Sequence, residues 1–119
     1  MTHYYTDNKD LPSQRREFEY HFDNEVFCFV TDNGVFSKDN VDYGSYVLLK
    51  TIYKFNLGSS LLDLGSGYGP IGIILKRFHQ NINVEMVEVN SRAVELSILN
   101  NQKNKTSKSV LVLCILRCY

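Results

Sequence analysis

The sequence has no tryptophan, two prolines, three cysteines and no net charge, and each scarcity removes a class of protein. With Lys plus Arg and Asp plus Glu both totalling 13, no global field selects a nucleic acid or an anionic membrane as partner. Residues 1–60 carry six basic and nine acidic side chains and residues 61–119 seven and four, so the halves stand at −3 and +3, an asymmetry too small to name a partner. Cys28, Cys114 and Cys118 are an odd set with no metal-ligand spacing, which excludes a disulfide scaffold and fits reduced thiols. The opening MTHYYTDNKD lacks the basic and apolar regions of a secretory leader, and no apolar run approaches the ~18 residues of a membrane span. These absences lead to the expectation of a soluble, cytoplasmic protein with neither membrane nor metal among its partners. The 44% hydrophobic and 22% charged residues suit one packed globular unit.

Along the chain, Phe18, Tyr20 and Phe22 alternate with polar neighbours, the period of a half-buried strand. Asp23-Asn24-Glu25 supplies a turn, Val26 to Thr31 a β-branched and aromatic run, and Asp32-Asn33-Gly34 a second turn into Val35-Phe36. Residues 17–37 therefore read as a small antiparallel meander. Ser45 can cap a helix with Leu48, Leu49, Ile52 and Phe55 on one face, and Gly58 can end it in the left-handed conformation. After that the organisation changes. Leu61 to Leu64 is a short apolar strand, Gly65 to Gly69 a glycine-rich turn, and Pro70 fits a first helical position. Ile71, Ile74, Leu75 and Phe78 follow at helical spacing. Val84 to Val89 is the next strand, Asn90 or Ser91 caps a helix with Ala93, Val94, Leu96, Ile98 and Leu99 on its apolar face, and Val110 to Leu116 is a last strand. From residue 61 the order is βαβαβ, the pattern of a parallel sheet with crossover helices. We divide the chain into a meander lead-in over residues 1–40 and an α/β unit over 41–119.

The stretch that carries chemistry is Asp63-Leu-Gly-Ser-Gly-Tyr-Gly-Pro-Ile-Gly72, set between strand and helix. Glycines at 65, 67 and 69 allow a tight turn and close approach of backbone to ligand, and the helix behind them aims free N–H groups and its positive end at that ligand. Glu88, 19 residues beyond Gly69, ends the second strand with a carboxylate able to accept from both hydroxyls of a ribose. Loop and acid together describe an adenosine-containing ligand. Gly67-x-Gly69-x-x-Gly72 also satisfies the dinucleotide pattern, so NAD competes. Asp63 favours the other candidate: a carboxylate facing the loop repels a pyrophosphate but suits the ammonium of S-adenosylmethionine, which has no phosphate.

At these residues the sequence resembles the class I S-adenosylmethionine-dependent methyltransferases, in which D-x-G-x-G follows the first strand and an acid ends the second. The likeness extends to Thr31-Asp-Asn-Gly-Val-Phe-Ser37, to Val41-Asp-Tyr-Gly-Ser45, and to DLGSGYGPIG and VEVNSRAVELSILNN. These are similar to the branch that methylates the exocyclic amine of guanine in small-subunit ribosomal RNA, over roughly residues 3–108. The resemblance implies a Rossmann-like methyltransferase fold, S-adenosylmethionine as cofactor and ribosomal RNA as partner. It implies that Gly65, Gly67 and Gly69 shape the place of the methionine end, that Asp63 orients that end and that Glu88 holds the ribose, where the family usually has Asp.

The resemblance stops short of an acceptor site, so no catalytic residue is assigned. In this branch an Asn-Pro-Pro-aromatic loop holds the target amine, and here the prolines are Pro12 and Pro70 alone. The tail KSVLVLCILRCY lacks the acidic strand tip of the family and reads as a truncation or a frameshift near Ser107. Such a chain supplies half of the sheet and leaves LLDL as an edge, open to self-association. Weak or absent cofactor binding and no turnover are then expected. The alternatives are a non-enzymatic fragment stabilised by edge pairing and an NAD-dependent oxidoreductase.

Other candidates have plainer readings. His3, His21 and His79 are scattered singly and read as solvated or packed side chains. Cys114 and Cys118 read as inert thiols, and Lys103, Lys105 and Lys108 as a solvated helix end that complements its dipole. Phe18, Tyr20, Phe22, Phe27 and Phe29 read as core of the meander rather than a base-stacking platform.

Overall fold

The alternation of Phe18, Tyr20 and Phe22 builds a hairpin of β1 (Arg16–Phe22) and β2 (Glu25–Thr31), paired antiparallel from Arg16 with Thr31 to Phe22 with Glu25. In the computed structural model, which describes residues 11–35 and 40–115, Asp23 and Asn24 turn the hairpin with φ of 44° and 64°. This left-handed pair suits a two-residue hairpin turn, and Asn and Asp accept it most readily after glycine. The expected third strand of the meander is not formed at Val35, which closes a turn by donating its N–H to Asp32 O at 3.3 Å. Phe36 and Ser37 lie outside the described residues.

Helix α1 (Tyr43–Ile52) begins three residues before the position expected from Ser45. Asp42 is its N-cap: Oδ2 accepts the Ser45 N–H at 3.1 Å and Oδ1 the Ser45 hydroxyl at 2.6 Å. A carboxylate caps as well as a hydroxyl and adds favourable charge at the positive helix end. The helix also ends before Phe55, and Gly58, although left-handed at φ 77°, sits in the following loop rather than at the C-cap. Its inward face is Leu49 with Tyr53 just beyond the last turn, while Leu48 and Phe55 are exposed. Four apolar residues were expected on one buried face; the neighbours cover half of them.

The remainder is a three-stranded parallel sheet in the order β3-β4-β5, with β3 (Ser60–Leu64), β4 (Asn83–Glu88) and β5 (Val110–Cys114). Helices α2 (Pro70–Phe78) and α3 (Ser91–Lys103) make the two crossovers. Leu116 and Cys118 lie outside the described residues. The register pairs Leu61 with Val84 and Val84 with Val110, and Asp63 with Met86 and Met86 with Val112. Those residues share one face. Val84 and Met86 are fully buried on it, and α2 and α3 pack there. Leu62, Leu64, Leu111 and Leu113 alternate to the other face and are exposed. Among the described residues the sheet is thus covered on one side and β3 stands at its edge, as the sequence led us to expect.

Helix α3 lies between the hairpin and the sheet, in contact with β2 on one side and with β4 and β5 on the other. One hydrophobic cluster runs through all of them, from Phe22, Phe27 and Phe29 through Tyr53, Ile73 and Leu75 to Met86 and Leu96. Aromatic rings join its parts. Phe22, Tyr53 and Phe78 meet edge to face with centroids 5.0 to 5.9 Å apart, a geometry that places positive ring edges on negative faces.

Candidate cofactor site

A cavity of about 190 Å³ lies where the C-terminal ends of β3 and β4 meet the starts of α1, α2 and α3. Its lining includes Asp63, Gly65, Gly67 and Glu88, four of the five residues singled out in the sequence; the fifth, Gly69, turns the chain into α2. In open α/β sheets this is the position where ligands bind, because helix N-termini and strand ends converge there. The volume is below the roughly 300–1,000 Å³ of whole small-molecule pockets, and the cavity is open to one side.

Gly69 is the position where glycine is required both by conformation and by space. Its φ is 101°, and a Cβ would stand 3.0 Å from Ile73 Cδ1 and 3.2 Å from Ser97 Oγ. Gly72 serves helix-to-sheet packing, since a Cβ there would run into Met86 Cε and lie 3.1 Å from Asp63 Oδ2. At Gly65 and Gly67 the requirement is conformational alone, with φ of 71° and 58° and open space around.

Asp63 is buried, and its Oδ2 accepts the Gly72 N–H at 3.1 Å. It therefore satisfies the first turn of α2 from the neighbouring strand. Burial pushes its carboxyl up to about 6, aided by the negative charge of Glu88, while the Gly72 N–H opposes the shift. Most of the helix amides expected to face the ligand are already engaged: Pro70 has none, Gly72 donates to Asp63 and Ile73 donates to Gly69 O. The loop amides are likewise tied, with Gly65 and Ser66 both donating to Val87 O.

Glu88 is 3% exposed. Its Oε1 accepts from Gly67 N–H and its Oε2 from Val89 and Asn90 N–H, each at 2.9 Å. Three of about four lone-pair positions are thus occupied by backbone, and the carboxylate fastens the glycine loop to the turn before α3. One acceptor position on Oε1 remains. A second ribose hydroxyl requires release of the Gly67 amide.

Residues that the sequence reading passed over complete the support. Ser97 donates its hydroxyl to Gly67 O at 2.8 Å, and Asn100 donates to Tyr68 O at 2.9 Å and Val30 O at 3.0 Å while accepting the Val30 N–H at 2.8 Å. Both are fully buried. Asn90, one of the two expected caps, is the N-cap of α3: its Oδ1 accepts from Arg92 and Ala93 N–H, and its Nδ2 donates to Gly34 O. The spacing of Ser97, Asn100 and Asn104 on one helical face was the available signal, masked by the polar run NNQKNKTSK.

The lining contains three carboxylates, Asp42, Asp63 and Glu88, and no basic side chain among the described residues. That donor set fits a cationic or neutral hydroxyl-bearing ligand and opposes a pyrophosphate. Among the described residues, no group of three or more His, Cys, Asp or Glu is placed to hold a metal, and no helix is long and apolar enough to cross a membrane.

A parallel βαβαβ sheet with a glycine loop after its first strand and an acid at the tip of its second defines a Rossmann-like nucleoside-binding class. The family follows from comparison: residues 26–115 match the model of the methyltransferase small domain, and the chain belongs to that family. It is 38% identical over 102 residues to the Bacillus subtilis protein YbxB, covering 86% of this chain and 51% of that protein. It is 32% identical over 95 residues to the ribosomal RNA small subunit methyltransferase C of Aliivibrio fischeri, covering 80% of this chain and 27% of that enzyme. Among solved structures, the T. thermophilus 16S rRNA N2 G1207 methyltransferase RsmC, in complex with AdoMet and guanosine, aligns with a TM-score of 0.75 at 29% identity, over 87% of this chain and 28% of that one. M. jannaschii TYW2 in complex with AdoMet aligns with a TM-score of 0.64 at 20% identity, over 87% of this chain and 45% of that one, a likeness of fold alone. The chain thus spans about half or less of the relatives it matches.

Proposed function

We propose that this chain is the S-adenosylmethionine-binding portion of a methyltransferase acting on the exocyclic amine of guanine in small-subunit ribosomal RNA, in the cytoplasm. The observation that carries the reading is the glycine loop fastened to the Glu88 carboxylate at the mouth of a cavity lined by carboxylates. Family membership and the likeness to RsmC add support. The cofactor, when bound, supplies an electrophilic methyl group on a sulfonium. Asp63 and the turn of Gly65, Gly67 and Gly69 hold its amino-acid end, and Glu88 takes a ribose hydroxyl at the free position of Oε1. The three carboxylates favour the positive sulfonium and ammonium together. Positioning the acceptor nitrogen in line with the methyl is the other half of the chemistry, and these 119 residues contain no Pro-Pro clamp for it. We therefore expect at most weak binding, and no turnover, from this chain alone.

Calorimetric titration with S-adenosylmethionine and with NAD tests the reading. Heat from the first, lost in Glu88→Ala, and none from the second is the expected result. A folded chain that takes up NAD and ignores S-adenosylmethionine would return the oxidoreductase alternative. A folded chain that takes neither would leave the second reading, a non-enzymatic fragment stabilised by self-association. One observation favours that reading: Leu62 and Leu64 stand on an edge strand, 58% and 73% exposed.

A further inference from the structure

A groove of about 430 Å³ opens at the end of the parallel sheet opposite the cofactor cavity, between the chain that leaves α2 and the chain that leaves α3. Lys76, Arg77, Lys105 and Lys108 stand around it with Gln80 and Ser109, and its lining includes no carboxylate and no aromatic ring among the described residues. In a chain with no net charge, this is a local concentration of one sign. Arg77 is answered by Glu25 at 3.2 Å. Lys76 is 6% exposed, and its ammonium donates to the carbonyls of Gln80 and Ile82, which hold the group without cancelling its charge. Burial, and then the like charge of Lys108, push Lys76 below the ordinary lysine value. An anion brought between the two lysines relieves their repulsion.

The lysines also have a plainer use, as complements to helix dipoles, and magnitudes decide how far it goes. Helices α2 and α3 both end at this groove, and each C-terminus carries about half a negative charge, together about one. With Arg77 and Glu25 set against each other, Lys76, Lys105 and Lys108 bring three positive charges. The helix ends therefore leave about two of these uncompensated. Lys105 and Lys108 are exposed, so the surplus faces the open groove. The lack of an aromatic ring denies a free nucleotide any stacking of its base, whereas a strand crossing the groove offers phosphate after phosphate.

We propose that this groove is a phosphate-binding site for the backbone of RNA, with Lys105 and Lys108 meeting its phosphates and Lys76 fixed behind them as a buried positive charge. The proposal deepens the reading given under Proposed function and rests on its RNA substrate. Contacts of this kind position a strand without reading its sequence. Because the groove lies at the other end of the sheet from the cofactor cavity, it extends the footprint on RNA beyond the site of transfer.

The test is fluorescence anisotropy of the full chain with a labelled single-stranded RNA, beside a peptide nucleic acid of the same sequence, whose backbone is uncharged. Lys105→Ala with Lys108→Ala is expected to weaken RNA binding roughly tenfold at about 0.1 M salt and to lower the slope of log K against log salt by about 1.4, the share of two phosphate contacts on a single strand. Both side chains are exposed, so the thermal transition should stay at that of wild type, and the calorimetric affinity for S-adenosylmethionine within about twofold of it. Lys50→Ala with Lys54→Ala, which removes the same charge from α1 and its end, should change RNA affinity by less than about twofold. The peptide nucleic acid should not bind. Equal weakening by the two lysine pairs, or a peptide nucleic acid bound as tightly as RNA, overturns the site. Uptake of inorganic phosphate by a wild-type chain that ignores RNA makes the groove a free-anion site and overturns the RNA contact as well. Wild-type protein that binds S-adenosylmethionine but no RNA removes this contact and leaves the cofactor reading standing. RNA binding that depends on Lys105 and Lys108, in a chain without affinity for S-adenosylmethionine, upholds the groove and removes the cofactor reading.

Discussion

At the scale of single residues, Asp63 bears two opposed demands. It satisfies the Gly72 amide inside the protein, and it does so as a carboxylate whose burial pushes it up to about 6. The folded value stands above the unfolded one near 3.8, so between the two the folded chain holds more protons, and stability contributed by this group falls as pH rises through that window. Asp63→Asn keeps a carbonyl oxygen for Gly72 and removes the buried charge. Urea unfolding should show the variant more stable than wild type by on the order of 2–3 kcal/mol at pH 8, with the gap closing toward pH 4. An equal gain at both pH values would mean that charge burial is not the cause. The same group gives the ligand a pH dependence: an ammonium beside Asp63 favours its ionised form, so wild-type affinity for S-adenosylmethionine should rise from pH 5 to pH 7. The Asn variant should titrate flat. Gly69→Ala is simpler, because it adds a Cβ at φ 101° against Ile73 and Ser97; a loss of about 1–3 kcal/mol in thermal unfolding is expected.

At the scale of elements, α3 joins the hairpin to the sheet with asparagine side chains that stand in for a strand. Asn100 exchanges hydrogen bonds with both the N–H and the C=O of Val30, and Asn104, one turn on, does the same with Cys28 at 2.9 and 2.8 Å. Asn100→Ala leaves the backbone of Val30 and the Tyr68 carbonyl without partners in a buried place. At about 1–3 kcal/mol for each unsatisfied group, we expect a loss of at least about 3 kcal/mol. Amide exchange of Val30 should accelerate more than that of Met86, and uniform acceleration would show that the asparagine does not act locally. This joint marks the limit of what the sequence made legible. The glycine loop, Pro70 at the start of α2 and the succession of strands and helices follow from neighbours within a few residues, so local pattern was enough to place them. Asn100 meets Val30 across 70 positions, and no local period distinguishes such an amide from a solvated helix end. The start of α1 moved for a related reason, since Asp42 and Ser45 both cap well and their mutual hydrogen bonds decide which stands outside the helix. Helical spacing sets Leu48 and Phe55 on the same apolar face as Leu49, but α2 and the hairpin cover the side of Leu49 and Tyr53. At the site, Glu88 was legible as an acid at a strand tip. Its three backbone donors were not, because they depend on how the loop folds back over β4.

At the scale of the whole molecule, the face of the sheet opposite α2 and α3 carries Leu62, Leu64, Leu111 and Leu113 at 58%, 73%, 52% and 41% exposure. Together with Val87 they make this face largely apolar, with the exposed Glu85 standing between Leu62 and Leu111. The patch continues to the β3 edge, where backbone groups on the outer side have no strand to pair with among the described residues. A flat apolar face and a free edge reinforce each other: pairing along β3 extends the sheet, and stacking of two such faces buries the leucines. At about 25 cal/mol per Å², burying most of that area is favourable before the entropy of association is counted, so reversible association at moderate concentration is the expected state. Light scattering of the wild-type chain over a concentration series should show mass rising with concentration. Leu62→Lys with Leu64→Lys, which places two like charges on the edge, should hold the mass at one chain while leaving the thermal transition near that of wild type, since neither side chain contributes to the buried cluster. Wild-type protein that stays at the mass of one chain throughout the series would refute the argument.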